Sequence, residues 1–125
     1  MKIKRFEDLE CWKEARNLVK MVYKITKIEP FSRDYRLRDQ ITGAGISIMN
    51  NIAEGFDSQS NNEFVRFLRI SRRSISEVEN CLYVAIDQDY IANNEFEKIY
   101  QQSEKTRKIV DGFLRYLLSQ RAKRE

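Results

Sequence analysis

No charged side chain occurs between Gln40 and Ala53, in a chain where Lys, Arg, Asp and Glu make up 34% of residues. This uncharged run lies within LRDQITGAGISIMNNIAEG, residues 37–55, and it restricts the fold more than any other stretch. At 100° per residue, Leu37, Ile41, Ala44, Ile48 and Ile52 fall on one stripe, the spacing of a helix face turned to a core. Gly45, Ile46, Met49, Ala53 and Phe56 form a second apolar face, and an uncharged polar strip of Gln40, Ser47 and Asn51, closed by Glu54, runs between the two. A helix that is apolar on two sides must be covered on two sides. Its own bundle supplies one cover. A second subunit is expected to supply the other, because 125 residues leave few other elements. Gly43, Ala44, Gly45 and Ala53 are small enough for a neighbouring backbone to come close. A glycine inside a helix costs roughly 1 kcal/mol relative to alanine, and that close approach is the compensating gain.

Three more amphipathic segments flank this one. The first helix is predicted from about Asp8 to Lys27, with Cys11, Ala15, Leu18, Val19, Val22 and Ile25 inward and the rings of Trp12 and Tyr23 at its flanks. Pro30 interrupts it, since proline lacks the N–H a helix interior needs. Ser32 and Asp34 are alternative N-caps for the second helix, and Gly55 is its natural stop. Ser60 followed by Glu63 is a capping box that opens the third helix. Its inner face is Phe64, Phe67, Leu68, Ser71, Ile75, Val78, Leu82, Ala85 and Ile86. Asn94 with Glu97 is expected to cap the fourth, whose apolar face is Phe96, Ile99, Tyr100, Val110, Phe113, Leu114, Leu117 and Leu118. The tail from Arg121 to Glu125 is charged and expected to fray. No strand-like alternation or internal repeat is present. The expectation is a single all-α domain over residues 1–125, an antiparallel up-and-down four-helix bundle with helices at about 8–27, 34–56, 61–88 and 94–120.

Four glycines, one proline and 42% hydrophobic residues suit such a bundle. The start, MKIKRFEDLE, has no apolar run after its charges, so no secretory leader is expected, and no segment is apolar enough to span a membrane. Cys11 and Cys81 sit on or beside apolar faces without a CxxC spacing. They are read as buried free thiols, and the cytoplasm as the expected location.

The chain has no histidine, which excludes Ser-His and Cys-His nucleophilic sites and the usual histidine metal sites. Gly43-Ala44-Gly45 follows no strand and opens no helix, so it is not a nucleotide loop. Glu54, Glu77 and Glu79 could serve as acid–base groups or hard-cation ligands. Caps, turns, water and arginine partners explain them more simply, so no catalytic residue, cofactor or metal is expected. The strip Gln40, Ser47, Asn51 and Glu54 could likewise hold a small ligand, but a hydrogen-bonded network fixing helix or subunit register is preferred.

Charge is uneven. Residues 1–29 hold 8 basic and 5 acidic side chains, residues 93–125 the same, and residues 30–92 hold 7 and 9, which sums to a net +4. On the first helix Lys13, Arg16, Lys20, Lys24 and Lys27 lie within about 80° of one another. A solvated face is the plain reading. Five cations with no acid among them could instead track a phosphate backbone, supplemented by Arg66, Arg69 and Arg73 if the first and third helices lie side by side. No aromatic residue is evidently interleaved for base stacking.

Gln40-Ile41, Ala44, Ser47-Ile48 and Asn51-Ile52-Ala53-Glu54-Gly55 resemble the signature of the 23S rRNA-intervening-sequence protein family. Phe6-Glu7-Asp8-Leu9 with Trp12 and Ala15-Arg16 is similar to that family's opening. Phe64, Phe67-Leu68, Ile70, Ser74, Glu77, Glu79, Leu82 and Ala85 are similar to its third helix, so the resemblance spans roughly residues 5–91. It implies an up-and-down four-helix bundle assembled as a homopentamer, with no established activity for most members. It also implies kinship to the accessory proteins of diversity-generating retroelements, basic pentamers that bind nucleic acid. Two departures stand out. Thr42 and Gly43 occupy positions where many members have arginines, which weakens the case for anion binding there, and Met49 replaces a usual proline. The expected function is a non-enzymatic homo-oligomeric scaffold, with itself as partner, weak nonspecific binding of RNA or DNA backbone on the basic face, and no membrane. The alternatives are a purely structural or protein-interaction module and, least favoured, a carboxylate-based enzyme.

Overall fold

A computed structural model describes residues 3–124 of the chain, with side chains as far as residue 120. Four helices follow in order: α1 (Glu10–Thr26), α2 (Tyr35–Asp57), α3 (Asn61–Asp87) and α4 (Asn93–Arg124). Short 3-10 turns at Phe6–Asp8 and Phe31–Arg33 precede α1 and α2. The frayed tail expected from Arg121 concerns side chains outside the described residues; the backbone of α4 is helical to Arg124.

Each helix packs on its two chain neighbours, α1 closing the ring against α4, while α1 and α3 occupy opposite corners. The α2–α3 seam is the most extensive. Leu37, Ile41, Ala44, Ile48 and Ile52 are all buried, joined in one continuous core by Leu18, Val22, Leu68, Ile75, Leu82 and Val110. Small and polar residues line that seam because the two backbones run close. The Ser71 hydroxyl donates to the Ile48 carbonyl at 2.9 Å, and Ser74 and Ser47 share a hydroxyl contact at 2.9 Å.

Helix starts follow the capping chemistry, with one revision. Of the two candidates for α2, Asp34 is the cap: its Oδ1 accepts from the Leu37 N–H at 3.0 Å. Ser60 Oγ accepts from the Glu63 N–H at 3.3 Å at the start of α3. At α4 the expected Asn94–Glu97 pair is replaced by Glu95, whose Oε1 accepts from the Ala92 N–H at 2.9 Å. Helix ends required more than sequence. Gly55 does not stop α2; it lies buried inside the helix, where a Cβ would stand 2.6 Å from a Phe64 ring carbon and 3.0 Å from Phe67 Cβ. The chain turns instead at Gln59, whose φ of 56° is left-handed. That end of the bundle is closed by Phe56, Phe64 and Phe113, with centroids 6.3 and 5.0 Å apart. At the other end Phe31, fully buried in the α1–α2 connection, stacks on Tyr90 at 5.2 Å, and the Tyr90 hydroxyl donates to Asp34 Oδ2 at 2.9 Å.

The middle of α4 buries Ser103 and Thr106 where its apolar pattern lapses. Thr106 donates to the Gln102 carbonyl at 2.8 Å, a local bond that lets a hydroxyl enter a core. Ser103 Oγ lies 2.6 Å from Glu79 Oε2 on α3. No described helix is long and apolar enough to cross a membrane.

Candidate functional site

The basic stripe of α1 is laid out as its spacing predicts. The hydrophobic face Cys11, Ala15, Leu18, Val22 and Ile25 is buried, which turns Lys13, Arg16, Lys20, Lys24 and Lys27 outward, and all five are exposed. None is within ion-pair distance of a carboxylate among the described residues. Two acids of α1 lie to one side of the stripe: Glu10 is exposed, and Glu14 is drawn off by α4, accepting from Gln102 Nε2 at 2.9 Å and lying 3.6 Å from Lys105 Nζ. The Gln102 hydrogen bond first, and then the Lys105 charge, hold Glu14 below the usual carboxylate range.

An aromatic ring does belong to this face. Trp12 is half-buried at the edge of α1, its ring meeting Phe6 edge-on at 5.5 Å, with the Arg16 guanidinium 5.6 Å from its centroid. Trp12, Lys13, Arg16, Asn17 and Lys20, with Glu7 of the preceding turn, line one shallow cleft of about 330 Å³. The signal was present in the sequence as the i, i+4 spacing of Trp12 and Arg16, which places two side chains side by side on a helix.

The arginines of α3 do not supplement the stripe. Because α1 and α3 sit at opposite corners, their outer faces point away from each other. Arg66 is paired with Glu63 at 3.1 Å and lies over the Phe67 ring at 4.5 Å. Arg69 and Arg73 line a separate depression between α3 and α4 with Arg72, Asp111, Leu114 and Arg115, in which Arg72 is bonded to Asp111 at 2.6 Å.

The second apolar face of α2 is narrower than its pattern suggests. Gly45 is buried within the protomer, a Cβ there standing 3.3 Å from Val19 Cγ2 of α1. It is therefore a helix–helix contact inside the bundle and not on an open face. Met49 and Phe56 lean onto the core and Ala53 is half-buried. Ile46 alone of the five stands open, at 40% exposure. Around it Gly43 and Asn50 are also exposed, so the outer surface of mid-α2 is uncharged.

The polar strip divides. Asn51 Nδ2 donates to the Ser47 carbonyl at 2.8 Å and lies 3.1 Å from Ser47 Oγ, which meets Ser74 of α3. This network ties α2 to α3 inside one chain. Gln40 and Glu54 are exposed and outside it: they share the wheel sector of Ser47 and Asn51 but lie toward the two ends of α2, away from Ser74.

Of the three singled-out carboxylates, Glu54 and Glu77 are exposed while Glu79 is buried. Arg107 of α4 donates to Glu79 at 2.7 Å and to Glu104 at 3.1 Å. Burial, and then the neighbouring Glu104 carboxyl, push Glu79 above the usual carboxylate range, while Glu104 is held below it by its bond with Glu79. Among the described residues no buried side-chain nitrogen or oxygen lacks a hydrogen-bond partner, as expected where an inter-helix clamp enters a core.

Fold and surfaces together define an up-and-down four-helix bundle with a basic corner at α1 and an uncharged outer face on α2. The chain belongs to the 23S rRNA-intervening sequence protein family, whose profile matches residues 7–112. Its fold is similar to the crystal structure of a protein of unknown function from the S23 ribosomal protein family of Bacteroides thetaiotaomicron. The two share 24% identity and a TM-score of 0.76 over 84% of this chain and 95% of that one, a likeness of fold. No curated protein matches the sequence.

Proposed function

We propose that the protein is a non-enzymatic homo-oligomeric scaffold of the cytoplasm that holds nucleic-acid backbone weakly, and without sequence preference, on the outer face of α1. The observation that carries this reading is the run of five exposed cations without carboxylate partners. Their span, from Lys13 to Lys27, is about 21 Å at the rise of an α-helix, enough to meet several successive phosphates. The five cations offer charge to phosphates, so their contacts would position a strand rather than read it.

One chain at +4 would bind poorly. Repetition of the stripe around an oligomer raises affinity without new contacts; five copies at +4, the number the family resemblance implies, would carry +20. The exposed Ile46, in a helix face free of charge, supports the outer side of α2 as the contact between copies.

Gel retardation of short RNA and DNA at 50 mM salt tests the binding. The oligomer should retard both. Changing Lys20 and Lys24 together to glutamate should abolish the shift and leave helicity and mass unaltered, because both side chains lie opposite the core. An intact oligomer that retards neither nucleic acid would leave the purely structural module as the reading.

A further inference from the structure

We infer that the groove between α1 and α4 is a docking site for an acidic amphipathic helix of another protein. The groove encloses about 480 Å³ and is lined on α1 by Asn17, Lys20, Met21, Lys24, Ile25 and the following Ile28, and on α4 by Glu95, Lys98, Ile99 and Gln102. Its floor is apolar: Ile25 and Ile99 are buried beneath it, Met21 is half-buried, and Ile28 stands 53% exposed with nothing over it. Its rims carry Lys20 and Lys24 on the α1 side and Lys98 with one acid, Glu95, on the α4 side, an excess of positive charge.

Length and charge select the occupant. Asn17 to Thr26 spans about 14 Å along the α1 axis, roughly two and a half turns. Met21 and Ile25 stand one turn apart on α1, and Ile28, just past its end, extends the same apolar floor that an amphipathic helix covers when it lies in a groove. Lys20 and Lys24 sit one turn apart with Lys98 across from them. A single carboxylate head could satisfy one of these ammonium groups, whereas a helix with acids flanking its apolar stripe satisfies several at once. A nucleic-acid strand matches the rims but not the floor: no aromatic ring lines this groove, and phosphates would leave Met21 and Ile28 wet. The site overlaps the proposed nucleic-acid face at Lys20 and Lys24; Lys13, Arg16 and Trp12 line an adjoining cleft that shares Asn17 and Lys20 with the groove but do not themselves line it.

The test uses the full chain and a fluorescein-labelled sixteen-residue peptide with leucines at helical spacing flanked by glutamates, followed by polarisation. Saturable binding is expected, at least tenfold weaker for the same peptide with lysines in place of glutamates. Ile28→Asp should weaken it about tenfold and Lys98→Glu severalfold, both at unaltered helicity, while Lys13→Glu should leave it unchanged. Equal binding of the two peptides, or none of the acidic one, would overturn the inference. A loss of oligomer mass in Ile28→Asp would assign the groove to a second copy of the chain and overturn it as well. So would a loss of RNA retardation in Ile28→Asp with no peptide bound.

Discussion

Arg107 donates to Glu79 at 2.7 Å and to Glu104 at 3.1 Å, and retains only 17% side-chain exposure. Replacing it with methionine leaves Glu79 buried and uncompensated. The expected cost at pH 7 is about 2–3 kcal/mol, at or below the low end for a fully buried pair because the site keeps some solvent. The sign with pH follows from the raised pKa of Glu79. Arg107 lowers the Glu79 carboxyl, so removing it raises that pKa further; the deficit of Arg107→Met shrinks as pH falls below the variant's folded pKa and is lost below the wild-type one. Urea unfolding at pH 7 and pH 5 measures this; an equal deficit at both would remove Glu79 as the cause. The cysteines make a second residue-scale prediction. Both are free and buried, and burial pushes the Cys11 thiol up to about 12. At pH 8 roughly one Cys11 side chain in ten thousand is thiolate. A thiol reagent should therefore leave Cys11 unlabelled in the native protein and titrate both sulfurs in denaturant. The buried free thiols were legible from helical phase alone, whereas the Glu79–Arg107 clamp was not, since it joins residues of two helices whose relative rotation no spacing encodes.

The second helix shows how element boundaries depend on neighbours. Gly55 has the residue type of a helix stop, yet α2 passes through it to Asp57. The glycine is required by α3, whose Phe64 and Phe67 occupy the space a Cβ would fill. Gly55→Ala should accordingly destabilise the bundle by about 1–3 kcal/mol through overpacking. Gly43 is the contrasting case on the same helix. A Cβ there meets nothing within 4 Å, so Gly43→Ala should stabilise by up to roughly 1 kcal/mol through helix propensity, with assembly mass unchanged. Thermal unfolding of the two variants side by side measures both, and a destabilised Gly43→Ala would put a close contact at that position. Capping was read better than stopping. Asp34 and Ser60 act on N–H groups three residues ahead, a distance fixed by helix geometry and visible in sequence.

At the scale of the molecule, charge and assembly are linked. If five cations of α1 contact phosphates, the logarithm of the binding constant should fall with the logarithm of salt at a slope of about −3.5 for a single strand. Lys20→Ala alone should flatten that slope by about 0.7. A slope unchanged in that single variant would move the site away from Lys20. Ile46→Glu, at the centre of the uncharged α2 face, should release monomers, because burying an unpaired charge costs several kcal/mol. Sedimentation of the variant at micromolar concentration decides it, and an intact assembly would place the contact elsewhere.

Four helices, the apolar stripe of α2 and most of the inward positions of the others, two of their caps and the outward phase of the α1 cations are local properties of the chain. Each follows from 3.6-residue periodicity and hydrogen bonds a few residues long, and each was readable from the sequence. Tertiary structure decided what periodicity cannot express. It placed α1 and α3 at opposite corners, which separates Lys20 and Lys24 from Arg69 and Arg73. It folded Gly45 against Val19, turned Met49 and Phe56 to the core, and left Ile46 as the open remnant of a broader apolar face. It also cut the groove beneath Lys20, Lys24 and Lys98. The physical reason is common to all of these: a stripe fixes the direction of a side chain relative to its own helix axis, while which other helix fills that direction is set by how four cylinders share one core.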